Sequence, residues 1–290
     1  MVVDKGMMVK LSEDFHSDFN ENQIRGSFQK VLLARANDRP FALDIIENIF
    51  SEFIEVKGDR RFSDDKSLIC GFASFNGRGV VVVGQQKGRD TKQRQFRNFG
   101  MPKPEGYRKA LRMMRIAEKF NVPIFTFVDT PGAFPGVDAE ERGQSEAIAR
   151  NLLEMAKIRV PIIVTILGEG GSGGALAIAV GDKVLMFENS IYSVISPEGC
   201  AAILWKDASQ APRAAYSLKL TADDLLSLRI IDEIIREQEN ARSGLEDFYK
   251  GLYDVLKENL ESVIEMDAGE LIERRYEKLR KLAYWGSPVT

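Results

Sequence analysis

Gly168-Glu169-Gly170-Gly171-Ser172-Gly173-Gly174-Ala175 is the segment of this 290-residue chain best suited to chemistry, because it joins the apolar run Ile162 to Leu167 to a small-residue helix over Ala175 to Val180. Glycines at such a junction have four uses. A phosphate cradle is the first, but the segment lacks the Gly-Lys-Ser/Thr ending of a P-loop, and its spacing makes a poor dinucleotide fingerprint without an acidic partner downstream. A nucleophile elbow is the second: Gly170-Gly171-Ser172-Gly173-Gly174 fits GxSxG at a strand-to-helix turn. A serine nucleophile needs a base, usually histidine. The chain has one histidine, His16, in the polar stretch Glu13 to Asn22, so a serine hydrolase built on Ser172 would require a lysine instead. The third use needs no side chain, because glycines at a helix start let N–H groups converge on an oxyanion, aided by the helix dipole. The fourth is a tight turn for close helix packing.

Asp129 to Gly136 (DTPGAFPG) ends the apolar run Ile124 to Val128 in the same way. Ends of parallel strands cluster on one side of a sheet, so the two small-residue turns are expected to wall one pocket. Glu140, Glu141 and Glu146 read as helix-start acids and, as the chemical alternative, as paired acid and base groups. Lys87, Arg89, Lys92, Arg94 and Arg97 form a basic stretch that would suit the phosphates of a CoA-like ligand, an acidic partner surface or, in a non-enzymatic scaffold, nucleic acid; a solvated loop is the plain alternative.

Elements that position these groups follow from periodicity. Val80 to Val83, Ile124 to Val128, Ile162 to Leu167 and Ile191 to Ile195 are short, β-branched-rich apolar runs, the pattern of strands buried on both faces with helical crossovers. Tyr107, Leu111, Met114, Ala117 and Phe120 form one helical stripe, and Ile148, Leu152 and Met155 another. Leu43, Ile46, Ile49, Phe50 and Phe53 predict an amphipathic helix that ends before Gly58. The fold class is therefore α/β, of repeated strand-turn-helix units with helical extensions at both ends: an N-terminal arm over 1–40, a core over 41–236 and a C-terminal helical extension over 237–290. That extension carries Leu252, Leu256, Leu260, Val263 and Ile264 on one face.

Forty Lys plus Arg against forty-three Asp plus Glu give a net charge of −3, so no global field draws the chain to nucleic acid or anionic membrane. Cys70 and Cys200 show no CxxC spacing, which argues against a zinc site or a disulfide framework and for a reducing, cytoplasmic setting. No apolar stretch reaches the roughly 18 residues of a membrane span.

Four blocks in order resemble the carboxyltransferase alpha subunit of bacterial acetyl-CoA carboxylase: Gln86 to Met114, Phe127 to Leu152, Gly168 to Val184 and Tyr192 to Lys206. The resemblance covers about residues 41 to 236. It implies a crotonase-like (ClpP/crotonase) fold and an α2β2 enzyme that moves a carboxyl group from carboxybiotin, on a biotin carboxyl carrier protein charged by biotin carboxylase, to acetyl-CoA, giving malonyl-CoA for fatty-acid synthesis. It also implies that the beta subunit carries the zinc and most acetyl-CoA contacts, and that this chain holds no metal. Carried onto this sequence, Gly173 and Gly174 match the family's catalytic oxyanion hole. Gly132, Ala133, Gly170, Gly171 and Ser172 would border the carboxybiotin site. Lys87, Arg89 and Arg97 are candidate contacts to CoA or a partner on the charge of their stretch alone.

Overall fold

The computed structural model describes residues 21–237 and 245–282. His16 lies outside them. Apolar residues along the strands alternate between two helical layers, and this alternation organises the molecule. Helices α1 (Glu21–Ala34) and α2 (Ala42–Ile49) precede an antiparallel trio, β1 (Ser51–Glu55), β2 (Leu68–Phe75) and β3 (Arg78–Gln85). After α3 (Thr91–Phe96) and α4 (Pro104–Phe120) the chain enters β4 (Ile124–Thr130), then α5 (Val137–Glu141), α6 (Gln144–Met155), β5 (Ile162–Gly171) and α7 (Ser172–Leu176). There follow β6 (Lys183–Phe187), β7 (Ile191–Ser193), α8 (Pro197–Trp205), α9 (Ala211–Ser217), α10 (Ala222–Ser227), β8 (Glu233–Ile235), α11 (Leu245–Ile264) and α12 (Ala268–Lys281).

The sheet order is β1-β2-β3-β4-β5-β6-β8, and every pairing from β3 onward is parallel. Odd and even positions of one strand serve different cores, as a two-residue side-chain period demands. Val81, Val83, Ile124, Val128, Ile162, Val164 and Ile166 join Tyr107, Met113, Met114 and Ala147 on one face. Val80, Val82, Phe125, Phe127, Ile163 and Leu167 join Ile45, Ile46, Leu252, Leu256 and Leu260 on the other. Strand β4 is buried along its whole length and β5 everywhere but at Glu169 and Gly171, as a sheet covered by crossover helices requires.

Strand β5 changes partner along its length. Ile163 to Ile166 pair with β6, and Glu169 to Gly171 pair with β7. The sheet therefore forks where the glycine-rich turn begins.

Two expectations differ from the structure. The helix after Phe41 stops at Ile49, and Ser51–Glu55 is an edge strand. Phe50 takes an extended conformation, φ −105° and ψ 147°, and its ring enters a cluster with Phe75, Phe125 and Phe127 at centroid distances of 5.2, 5.3 and 6.0 Å; this packing outweighs the helical period. The helical N-terminal extension expected from sequence is, among the described residues, α1, which packs Val31 and Ala34 against Ile191, Ala215 and Leu220. The small-residue helix expected over 175–180 instead starts at Ser172 and ends at Leu176. No described helix is long and apolar enough to cross a membrane.

Among the described residues the C-terminal extension forms two helices, α11 and α12. Asp267 caps α12, its carboxylate accepting from the N–H groups of Gly269 and Glu270. The α11 face expected from sequence, Leu252, Leu256, Leu260 and Val263, packs on the sheet of its own chain. Arg275 of α12 is buried and reaches under the sheet, donating to the carbonyls of Met155 and Ile158 at 2.7 Å each and to both carboxylate oxygens of Asp182 at 2.9 and 2.7 Å.

Candidate active site

Parallel strands β4 and β5 end side by side, Thr130 pairing with Gly170, and so deliver the two small-residue turns to one place. The contact between them is backbone on backbone. A Cβ on Gly171 would lie 2.2 Å from the Pro131 oxygen, and one on Gly174 would lie 2.5 Å from the Ala133 nitrogen and 2.6 Å from the Gly132 carbonyl carbon. No side chain fits at either position. Thr130 fixes the facing turn through its hydroxyl, which donates to the Gly132 carbonyl at 2.7 Å and accepts from the Gly132 N–H at 3.1 Å.

Gly173 is different: its Cβ would meet only Ile148, at 3.5 Å. Gly170 backs onto the Tyr192 ring, 2.6 Å from an added Cβ. Ser172 holds φ 48°, the left-handed conformation of a sharp strand-to-helix turn. Among the described residues there is no histidine to serve it as a base. The short helix α7 has no side-chain cap, so the N–H groups of its first turn are not taken by a capping residue. Since α7 spans five residues, its dipole is small, and the amides themselves carry any attraction for an anion.

The structure therefore gathers Gly132, Ala133, Gly170, Gly171, Ser172, Gly173 and Gly174 at one strand-end. It separates the three cations. Lys87 is largely buried, with its ammonium 2.7 Å from Asp129 and 2.8 Å from Glu169. Burial alone would lower the lysine's pKa, but the two carboxylates outweigh it and raise it. Burial likewise works to raise the Glu169 pKa, and the charges and hydrogen bonds of Lys87 and Arg35 reverse this to a net depression. Arg35, at the end of α1, extends the network from Glu169 at 2.8 Å to Glu198 at 2.7 Å. Arg89 pairs with Asp44 at 2.8 Å and lies over the Phe41 ring. Arg97 donates to the Lys66 carbonyl at 2.8 Å.

Asp129, Glu169 and Arg35 thus stand beside the site without having been singled out in the sequence. The signal available for Glu169 was its place inside the glycine motif; nothing local marks Arg35 or Asp129 as partners of Lys87. Glu140 and Glu141 end the short helix α5, and Glu146 pairs with Arg150 one turn along α6, so these acids do not form a facing pair.

Beside the turns lies a cavity of about 230 Å³ lined by residues that include Arg35, Phe41, Lys87, Arg94, Pro131 and Glu169. A larger one, about 1140 Å³, opens around Asp182, Arg275 and Lys278 at the other end of the parallel strands. The smaller is the one adjoining the glycine turn. Among the described residues no group of His, Cys, Asp or Glu is placed to hold a metal ion.

The acetyl co-enzyme A carboxylase carboxyltransferase-like family matches residues 9–283. The acetyl-coenzyme A carboxylase carboxyl transferase subunit alpha of Syntrophotalea carbinolica is 56% identical over 275 residues, covering 94% of this chain and 85% of its own. That of Geobacter metallireducens is 58% identical over 257 residues, covering 88% and 81%. Among solved structures, the transcarboxylase 12S core superposes with a TM-score of 0.61 at 21% identity over 79% of this chain and 44% of its own. The beta subunit of Pseudomonas aeruginosa geranyl-CoA carboxylase gives 0.61 at 18% identity over 84% and 44%. These structures share the crotonase-like fold expected from the sequence. With the family match running from residue 9 to residue 283, the chain belongs to the acetyl-CoA carboxylase carboxyltransferases, as an alpha subunit.

Proposed function

We propose that this chain supplies one half of a carboxyltransferase site and that its contribution is the amide surface of the turn from Gly170 to Gly174. One observation carries the reading: Gly171 and Gly174 sit so tightly on Pro131, Gly132 and Ala133 that any side chain would force the two turns apart. Residues required to be glycine, at the start of a helix with no side-chain cap, leave main-chain N–H groups as the local donors. Donors of this kind act best where negative charge develops.

Carboxybiotin, carried by a separate protein, would supply the carboxyl group when bound, and the amides of Gly173 and Gly174 would face its ureido oxygen, where negative charge would develop during transfer. The cradle fits such a charge, since its lining is backbone and small residues. Gly173 and Gly174 would hold the oxygen, with Gly132 and Ala133 bordering the same recess and Gly170, Gly171 and Ser172 shaping its floor. Lys87 and Glu169 hold each other in their charged forms, and no side chain of the turn titrates. The acceptor is acetyl-CoA, the product malonyl-CoA for fatty-acid synthesis, and the completing half a beta subunit in an α2β2 assembly served by the biotin carboxyl carrier protein and biotin carboxylase.

Mixing the purified chain with a carboxyltransferase beta subunit, biotin and malonyl-CoA tests this. Decarboxylation is expected with both subunits and little with either alone; an equal rate without the beta subunit would overturn the half-site. Ser172→Ala is expected to retain most of the rate, whereas total loss would favour hydroxyl chemistry.

A further inference from the structure

The interior treats the two faces of the glycine turn differently. Gln85, the last residue of β3, is fully buried. Its Nε2 donates to the Gly174 carbonyl at 2.7 Å, and its Oε1 accepts from the Asp129 N–H at 3.1 Å. Strand β4 lies between β3 and β5, so the side chain reaches across the end of β4, bonds it in passing, and grips the turn beyond. Tyr107 of α4 donates its hydroxyl to the same Gly174 carbonyl at 3.4 Å. Asn151 of α6 donates to the Ala177 carbonyl at 3.0 Å and to the Tyr107 carbonyl at 3.1 Å.

All three side chains are buried, and each bond they make to the turn goes to a carbonyl. In a continuing α-helix the Gly174 carbonyl would accept from the Ile178 N–H four residues on. That N–H goes to Ala175 instead, at 3.1 Å, which accounts for the end of α7 at Leu176. The peptide unit that carries the Gly174 carbonyl also carries the Ala175 N–H, opposed to it in one plane, so drawing that carbonyl toward the core turns the Ala175 N–H away from it. Because N–H groups in one helical turn run parallel, it sets the tilt of the Gly173 and Gly174 amides as well.

We propose that Gln85 is a positioning residue for the amide surface: it aligns the turn after β4 with the turn after β5 and holds the first helical turn of α7 in the orientation that presents its N–H groups to the substrate. This rests on the reading that those amides hold developing charge. Gln85 touches no reacting atom in this account and acts through the Gly174 carbonyl.

The test uses the chain assembled with its beta subunit, with kcat and KM measured for biotin-dependent malonyl-CoA decarboxylation and melting followed alongside. Gln85→Met keeps the length and loses both hydrogen bonds. Gln85→Glu keeps the acceptor for the Asp129 N–H and loses the amide donor to Gly174. Tyr107→Phe removes only the longer bond to the same carbonyl. Misplacing aligned groups by about 1 Å typically costs on the order of 10²-fold in rate, so both Gln85 variants are expected to lose roughly 10- to 100-fold in kcat with KM for malonyl-CoA changed by less than about twofold, the pattern of an interaction made in the transition state. Tyr107→Phe is expected to lose less. Wild-type kcat in either Gln85 variant, or a lower melting temperature with kcat per folded complex unchanged, overturns the inference. Gly174→Ala separates the two levels: if it also keeps its rate, the amide reading itself has failed, and if it loses rate while Gln85→Met does not, only the positioning role falls.

Discussion

Gly174 and Ala133, 41 residues apart in sequence, meet so closely that one hydrogen atom is all the space between their backbones admits: a Cβ on the glycine would stand 2.5 Å from the alanine nitrogen. Gly174→Ala must therefore part the two turns, whereas Gly173→Ala meets only Ile148 at 3.5 Å. In the reconstituted enzyme Gly174→Ala is expected to lower kcat by about 10²–10³-fold, the usual cost of losing one oxyanion donor. Gly173→Ala should fold with little change in melting temperature. Equal kcat for Gly174→Ala and wild type would show that the apposition is dispensable.

Arg275 and Asp182 form a bidentate pair with side-chain exposures of 0% and 4%. Removing one partner of such a pair strands the other as an uncompensated charge, typically at a cost of about 3–5 kcal/mol. Arg275→Leu should therefore melt well below wild type, and in denaturant the midpoint should move with the slope unchanged. A midpoint within experimental error of wild type would mean that α12 is not latched by this contact.

Lys87 and Glu169 set the pH window of their own contribution to stability. The folded pKa of Glu169 is depressed, so its share is complete above the unfolded value of about 4.3 and is lost as pH falls through the lower folded value. The folded pKa of Lys87 is raised, so its share is complete below the unfolded value of about 10.4 and is lost as pH rises through the higher folded value. Wild type minus Lys87→Met, each followed by urea unfolding across pH, should be flat between these limits and fall outside them. A difference that instead varies steeply near neutrality would count against the pairing.

Cys70 faces the core from β2 with no exposed surface, and burial pushes its thiol up to about 12. Because the thiolate is the reactive form, Cys70 should resist a thiol reagent at pH 8 in the native protein and react on unfolding, which mass spectrometry of the labelled peptide would resolve. Prompt native labelling at Cys70 would require local opening of β2.

Continuous apolar runs made β3, β4 and β5 legible from sequence, because strands covered on both sides show no alternation to confuse with a loop. The glycine and Asp-Thr-Pro-Gly turns were legible for the same reason: they interrupt those runs sharply. Strand β1 was not, since Ile49, Phe50 and Phe53 satisfy a helical spacing until the aromatic cluster draws Phe50 into an extended conformation. Lys87 was marked by its charge, but its pairing with Asp129 and Glu169 was not legible, and neither was Gln85, whose role arises from Asp129 and Gly174 brought in from β4 and α7. Long-range pairing of polar side chains leaves no local periodicity to read.

The fork in β5 has a consequence for how the enzyme fails. With one half of the strand laddered to β6 and the other to β7, sliding by a residue would break two ladders at once and turn every side chain to the wrong face. The coordinates of the glycine turn are thus inherited from strand register, and we expect heat or denaturant to switch catalysis off together with the fold, without a half-active species on the way.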